Sequence, residues 1–158
     1  MGAVLPFRGQ EHEICEGEPG HGAAWAEDGA IYVTGAMAHH PRRLIDFLKK
    51  EARREFELRT AEHNKRLGVR HKRITVRDTA SRRGSCSAHG SLSYSWRLIL
   101  APSFVLDYVV AHEVAHMCEM NHGPKFWKLV RDLVGDPRRA QKWLRDHGAA
   151  LHRYAPKG

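Results

Sequence analysis

The chain has 158 residues, of which 42% are hydrophobic, and it carries a formal net charge of +8 at pH 7. The length suits a single domain with a substantial core, and the hydrophobic share is ordinary for a globular protein. No apolar run approaches the roughly 18 residues that a membrane span requires, which argues against a membrane protein.

The cysteines bear on the compartment in which the protein works. Cys15, Cys86 and Cys118 are far apart and form no CxxC pair, a pattern that argues against a disulfide framework and fits a reducing compartment. The first residues also lack the long apolar core of a secretory signal peptide. We therefore expect a cytoplasmic protein.

Residues 1–35 are rich in glycine and polar residues, with short strand-like pieces such as residues 30–34. They predict an N-terminal arm of strand and loop, and residues 36–158 predict one globular unit. A long helical pattern runs from Pro41 to about Leu67, with Gly68 as its stop and His63 as a solvated residue. Its apolar stripe, assigned to the core, comprises Leu44, Ile45, Leu48, Ala52 and Phe56.

Two strands are predicted after this helix. Residues 72–77 alternate in polarity and residues 91–98 alternate strictly, which predicts one buried face on the second strand. Residues 88–91 predict the turn before it. The buried face comprises Leu92, Tyr94, Trp96 and Leu98.

The pattern HExxH occupies residues 112–116, at the end of an apolar stretch that begins near residue 104. This stretch predicts a buried helix, with Ser103 as its N-cap. Residues four apart share one face of a helix, so His112 and His116 can bind one Zn²⁺ together. Glu113 can reach a water molecule at that metal.

A third ligand is expected from the residues that follow. On an unbroken helix His122 would point away from His116, whereas Glu119 would lie close to the face of His112. The segment 121–124 reads NHGP, and these residues end one helix and begin another. The break favours His122 over Glu119 as the third ligand.

Three histidine ligands leave the fourth position of a tetrahedral zinc site open for water, which is typical of catalytic sites. We therefore predict one catalytic Zn²⁺ held by His112, His116 and His122. Glu113 is the predicted general base.

Two more helices are predicted after the break. Residues 124–134 have a helical stripe that we assign to the core, and Asp136 and Pro137 predict the start of a last helix that Gly148 closes. The stripe comprises Phe126, Trp127, Val130 and Leu133.

Four segments together resemble the YgjP-like metallopeptidase domain, a family related to the SprT-like and WLM zinc proteases. They are residues 83–87 (RGSCS), 96–102 (WRLILAP), 108–116 (YVVAHEVAH) and 121–127 (NHGPKFW), within a resemblance that spans about residues 40–147. The family commonly has Trp where this chain has Arg83.

The resemblance implies an α+β fold, a small zincin-like domain whose helices pack on a short, mostly antiparallel sheet, with the HExxH helix at the active site. It also implies Zn²⁺ on His112, His116 and His122, with Glu113 as the catalytic acid and base. The expected function is zinc-dependent hydrolysis of peptide bonds in a peptide or protein substrate.

Basic clusters motivate an alternative function, a nucleic-acid-associated SprT-like protein that acts on DNA-bound proteins. An ordinary solvated surface on a basic protein explains the same clusters and is the favoured interpretation. Two further alternatives are a non-catalytic zinc-binding module and a zinc amidase that acts on small molecules. The clusters are residues 65–66, 70–73, 82–83 and 138–139.

Several residues near the motif are secondary candidates. Cys86 suits a small core position better than a thiolate that caps the metal. The segment 84–87 is a candidate for binding the substrate backbone by strand addition. Tyr94, Arg97 and His89 are candidate oxyanion donors by their proximity in sequence alone.

Overall fold

The structure is a computed structural model that describes residues 2–78, 84–151 and 153. Arg82 and Arg83, named above, lie outside the described residues. The strands are β1 (Val4–Phe7), β2 (Gln10–Glu16), β3 (Ala24–Glu27), β4 (Ala30–Val33), β5 (Arg73–Arg77), β6 (Gly84–Cys86) and β7 (Ser91–Ser95). The helices are α1 (His40–Leu67), α2 (Ser103–Ala115), α3 (Pro124–Val134) and α4 (Arg138–Leu151). The predicted α+β class is confirmed.

The first four strands form one sheet in the order β1-β2-β4-β3, in which β2 and β4 are parallel and the other pairs antiparallel. Two-residue turns at 8–9 and 28–29 close its hairpins, and all four turn residues have positive φ. Such turns match the twist of the strands that they join. The strand predicted near residues 30–34 is therefore present as β4, within a regular sheet. The domain boundary at residue 35 stays a prediction.

The first hairpin turn fixes this sheet to the rest of the molecule. The amides of Arg8 and Gly9 donate to the carbonyls of Ile99 and Leu100 at 2.8 and 3.0 Å. Gly9 has φ 82, and a Cβ there would lie 2.8 Å from the Cα of Pro102. Glycine is required at this position because no side chain fits so close an approach.

Helix α1 matches its prediction closely. It ends where Gly68 takes the left-handed conformation at φ 69, which only glycine adopts without strain. Leu48, Ala52 and Phe56 are fully buried, and the other two residues of the predicted stripe are half-buried against the core.

His63 corrects one prediction, because it is buried rather than solvated. It lies on the face of α1 that meets α2, and its Nε2 is 2.7 Å from an oxygen of Asp107. Arg59 adds an ion pair to the same carboxylate at 3.4 Å. These contacts join α1 to α2, and they give an acidic residue on a largely buried helix one hydrogen-bonding partner and one charged partner.

The second sheet has the order β5-β7-β6, with β5 parallel and β6 antiparallel to β7. Arg53 of α1 donates to the carbonyl of Ile74 in β5 at 3.3 Å. The predicted buried residues of β7 are all buried, but the strand is shorter than predicted. It ends at Ser95, whose hydroxyl accepts the amide of Arg97 and starts a 3₁₀ turn over Trp96–Leu100.

Helix α2 is apolar on almost every side, and nine of its 13 residues are buried. A helix of this composition belongs inside a fold, and α2 contacts α1, α3, α4 and the second sheet. The predicted N-cap is wrong. Ser103 is the first residue of the helix, and Pro102 precedes it in an extended conformation without a side-chain cap.

Helix α3 has the predicted bounds, and Asp136 accepts the amide of Arg138 at 3.0 Å as expected of a cap for α4. Gly148 does not close α4. It is buried, and the helix continues to Leu151. Among the described helices, none combines the length and apolar character needed to cross a membrane.

The Asp107 contacts predict a pH-dependent contribution to stability. Burial alone would raise the pKa of Asp107, but the hydrogen bond and charge of His63, together with Arg59, lower it below its ordinary value. Its carboxylate therefore stabilises the fold above the pKa of an unfolded aspartate, about 3.9, and this contribution is lost as the pH falls through the lower folded value.

We expect Asp107→Asn to reduce the free energy of unfolding by about 2 kcal/mol at pH 7, as measured by urea denaturation. The difference from wild type should shrink on acidification toward pH 3. Asp146→Asn, which removes an exposed pair with Lys142, is the matched control and should change stability little. An equal loss in both variants would contradict the proposed role of Asp107.

Candidate metal centre

Helix α2 ends inside the HExxH pattern. His116 is its C-cap, and the amides of Met117, Cys118 and Glu119 donate back to carbonyls of the last turn. The chain then runs without regular structure until Pro124 begins α3. The predicted break is confirmed, but the helix ends earlier than the NHGP segment suggested.

The break brings three histidines together. One ring nitrogen from each of His112, His116 and His122 lies within 4.8 Å of the others, an arrangement that could hold a metal ion. The Nε2 atoms of His116 and His122 are 2.9 Å apart. His112 lies in the last turn of α2, His116 is its C-cap, and His122 comes from the exposed segment that follows.

The backbone sets the orientation of His116. Its Nδ1 donates to the carbonyl of Glu119 at 3.1 Å, which leaves the Nε2 lone pair directed at the cluster. Burial lowers the pKa of His116, and His112 adds to this effect, although the Glu119 carbonyl opposes it. A neutral ring is the form that binds metal. Glu119, the rival ligand, contributes its backbone, and its carboxylate is not part of the cluster.

The donor set fits a zinc ion. Imidazole nitrogens are common zinc ligands, and two nitrogens bound tetrahedrally to one zinc are about 3.3 Å apart. The 2.9 Å between the nitrogens of His116 and His122 is close to this value, and all three nitrogens lie within 4.8 Å of one another. Small rotations of the rings would bring all three into coordination distance of one ion.

Aromatic side chains of α3 hold the histidine rings. Phe126 stacks on His116 with ring centroids 4.5 Å apart and meets His112 and His122 edge-on at 5.0 and 4.9 Å. Trp127 lies about 6 Å from His112 and His122. Both were predicted only as core residues. Both residues closely follow His122 on a helix that starts at Pro124. This spacing is the sequence feature that could have predicted their position at the site.

Glu113 lies between α2 and the edge strand β6. Its side chain is largely buried, and one carboxylate oxygen is 3.2 Å from Nδ1 of His112. On its other side, a Cβ at Gly84 would be only 3.1 Å from Cγ of Glu113. The carboxylate therefore has little freedom to move away from the histidine cluster.

The candidate oxyanion donors are used elsewhere in the fold. Tyr94 is buried and shares a hydrogen bond with Thr60 at 3.3 Å. Arg97 is buried, pairs with Asp78 and lies over the neighbouring tryptophan ring. His89 is an exposed turn residue whose backbone amide donates to the hydroxyl of Ser87 at 3.3 Å. Sequence proximity to the motif was therefore a poor guide to these three residues.

Cys86 packs against the core as the sequence favoured. Burial and the charge of Glu113 raise the pKa of its thiol to about 11. The thiol is thus protonated at neutral pH, and the sulfur is not part of the described metal-binding cluster.

Several basic residues have structural partners, which accounts for part of the predicted clusters. Arg66 donates to the carbonyls of Asp132 and Leu133 at the end of α3. Arg138 pairs with the capping aspartate of α4, and Arg139 lies 3.8 Å over the ring of Phe104.

Residues 2–147 match the family model described as YgjP-like, metallopeptidase domain. The chain belongs to the YgjP-like metallopeptidase domain family. The match confirms the predicted metallopeptidase class and extends beyond residues 40–147, because the YgjP-like region includes the N-terminal sheet. No curated protein matches the chain.

A solved structure shares the fold of this YgjP-like protein. It is the crystal structure of the metallopeptidase zymogen of Pyrococcus abyssi abylysin, with a TM-score of 0.51 and 18% sequence identity. The similarity covers 59% of this chain and 92% of that chain. At this level of identity the comparison supports the fold alone.

The geometry of the YgjP-like site predicts which residues retain a metal. We expect about one zinc ion per chain after purification without chelator, measured by elemental analysis. His116→Ala and His122→Ala should lose it, because each removes one of three ligands. Glu119→Gln should retain it, because the backbone carbonyl is unchanged. Zinc retained in His122→Ala but lost in Glu119→Gln would reverse the assignment of the third ligand.

Proposed function

We propose that this YgjP-like protein is a zinc-dependent peptidase that uses Glu113 as its general base. The observation that carries the proposal is the placement of the Glu113 carboxylate between three clustered histidines and an open strand edge. A carboxylate in that position can reach a water molecule beside the cluster and a peptide chain along the strand.

The proposed residue roles follow from this placement. His112, His116 and His122 would hold one zinc ion, which would supply a Lewis acid that polarises the peptide carbonyl. Glu113 accepts a proton from the attacking water as the water oxygen bonds to the carbonyl carbon. Glu113 then passes that proton to the amide nitrogen as the C–N bond breaks. The carboxylate ends the cycle deprotonated.

Strand β6 would orient the substrate. It pairs with β7 on one side, and no described strand pairs with its other side. An extended peptide could add there by main-chain hydrogen bonds. Since Gly84 of β6 lies against Glu113, a peptide on this edge would pass close to the base.

The other predicted functions stay predictions. Action on DNA-bound proteins, a purely zinc-binding role and amidase activity on small molecules are each compatible with a histidine cluster. We favour peptide hydrolysis because a buried carboxylate at an open strand edge suits an extended substrate. The cytoplasmic location also remains a prediction.

The proposed base gives a direct test. Glu113→Gln should lower kcat on a peptide mixture by about 10²-fold or more, because the amide cannot accept the proton, while zinc content stays unchanged. Glu62→Gln on the exposed face of α1 is the matched control and should keep full activity. Undiminished turnover in Glu113→Gln would rule out this role.

Gly84 gives a second test, because a methyl group there would contact the base. The added Cβ would lie 3.1 Å from Glu113 Cγ, 3.2 Å from the carbonyl of Ser93 and 3.2 Å from Val109 Cγ1. We expect Gly84→Ala to displace the carboxylate by a few tenths of an ångström and lower kcat by about tenfold. Zinc content should be unchanged. Equal kcat in the two proteins would show that β6 does not position Glu113.

A further inference from the structure

The outer face of the second sheet is polar and concave. Inward-facing residues of β5 and β7, such as Ile74 and Tyr94, pack against the core. The residues between them carry hydroxyl and guanidinium groups and line a cavity of about 450 Å³. We call this the hydroxyl face, and its members are Arg73, Thr75, Arg77, Ser85, Ser91 and Ser93.

Ser93 offers a hydroxyl group to this cavity. It lies on the central strand and is only 8% exposed, yet its hydroxyl has no hydrogen bond among the described residues. Its oxygen is not among the fully enclosed polar atoms that lack partners, so it is open to the cavity. The hydroxyls of Thr75, Ser85 and Ser91 likewise lack partners within the described parts of the chain.

The charge of the cavity selects an anion. Arg73 and Arg77 are both exposed and lie on the same face of β5. Neither forms an ion pair with any described residue. None of the described residues that line the cavity is acidic. Guanidinium and hydroxyl donors together are the groups that bind carboxylate and phosphate in proteins.

The hydroxyl face shares strand β6 with the candidate active site. Ser85 points to the hydroxyl face because it pairs with Ser93 in the sheet register, whereas its neighbour Gly84 contacts Glu113. Side chains of an added strand alternate between the two faces of a sheet. Every second side chain of a peptide on β6 would therefore point to the side of the sheet that carries the cavity.

A peptide explains the cavity better than a nucleic acid does. Single strands bind through aromatic rings on which bases stack, and no described residue that lines this cavity is aromatic. The hydroxyls instead surround a space suited to one anionic group.

We propose that the hydroxyl face is a substrate subsite that binds an acidic or phosphorylated side chain of the peptide. The inference rests on the proposed peptidase function, since a substrate on β6 supplies the side chain. Such a subsite would give the peptidase a preference for substrates that carry an anionic side chain.

The first measurement titrates zinc-loaded full-length protein with inorganic phosphate and follows backbone amides by NMR. We expect the largest shifts at Thr75, Ser85 and Ser93. In Arg73→Gln/Arg77→Gln, binding should weaken by at least about tenfold, because the loss of even one charge-assisted contact has that effect. The control Arg42→Gln/Arg145→Gln removes equal charge from exposed helix positions and should bind as wild type does. No shift at the hydroxyl face would overturn the proposal.

The second measurement compares cleavage of three peptides that differ at one position, which carries phosphoserine, aspartate or asparagine. We expect wild type to prefer the two anionic peptides, and Arg73→Gln/Arg77→Gln to lose most of that preference while still cleaving the asparagine peptide. The ratio of phosphoserine to aspartate cleavage tells which anion the subsite fits better.

The outcomes separate the two proposals. Cleavage of all three peptides at equal rates would overturn the subsite and leave the peptidase intact. No cleavage of any peptide would remove the peptidase function, and with it the substrate role of the hydroxyl face, even if phosphate binds there. Displacement of phosphate by oligo-dT, without any preference among the peptides, would assign the surface to nucleic acid instead.

Discussion

The burial of α2 is the constraint on which the other elements depend. A helix that is apolar on nearly every side must be surrounded, and α1, α3, α4 and the second sheet together do so. The polar side chains that α2 contributes to the candidate site, His112 and Glu113, are therefore confined to its last turn. Asp107 is the exception in the middle of the helix. Its carboxylate contacts His63 and Arg59 of α1. These contacts also hold α1, the longest helix, against α2.

The site is assembled by the end of one helix and the start of the next. The Glu119 carbonyl turns the ring of His116, and the first turn of α3 presents Phe126 to all three histidine rings. These positions depend on backbone geometry more than on further polar side chains. The same principle holds for Glu113, which is confined by the backbone of β6 at a glycine.

What the sequence could predict was local in the chain. The HExxH spacing, the break at 121–124 and the stop at Gly68 depend on residues within one or two turns of each other, and all have counterparts in the structure. What it could not predict depends on distant partners. The sequence around His63 predicts a solvated residue, because its partner Asp107 lies on the distant helix α2. The alternation of residues 91–98 continues past Ser95, but the local hydrogen bond to Arg97 ends the strand.

The two edges of the second sheet differ in a way that bears on aggregation. Unpaired strand edges template the association of one chain with another. On the β5 edge, Arg53 occupies the carbonyl of Ile74. On the β6 edge, the described strand begins with a glycine, and no described strand pairs with its outer side. Glycine weakens strand pairing because it has no side chain to pack against a neighbouring strand. The glycine that brings β6 close to Glu113 therefore also makes this edge a poorer template for a second copy of the sheet.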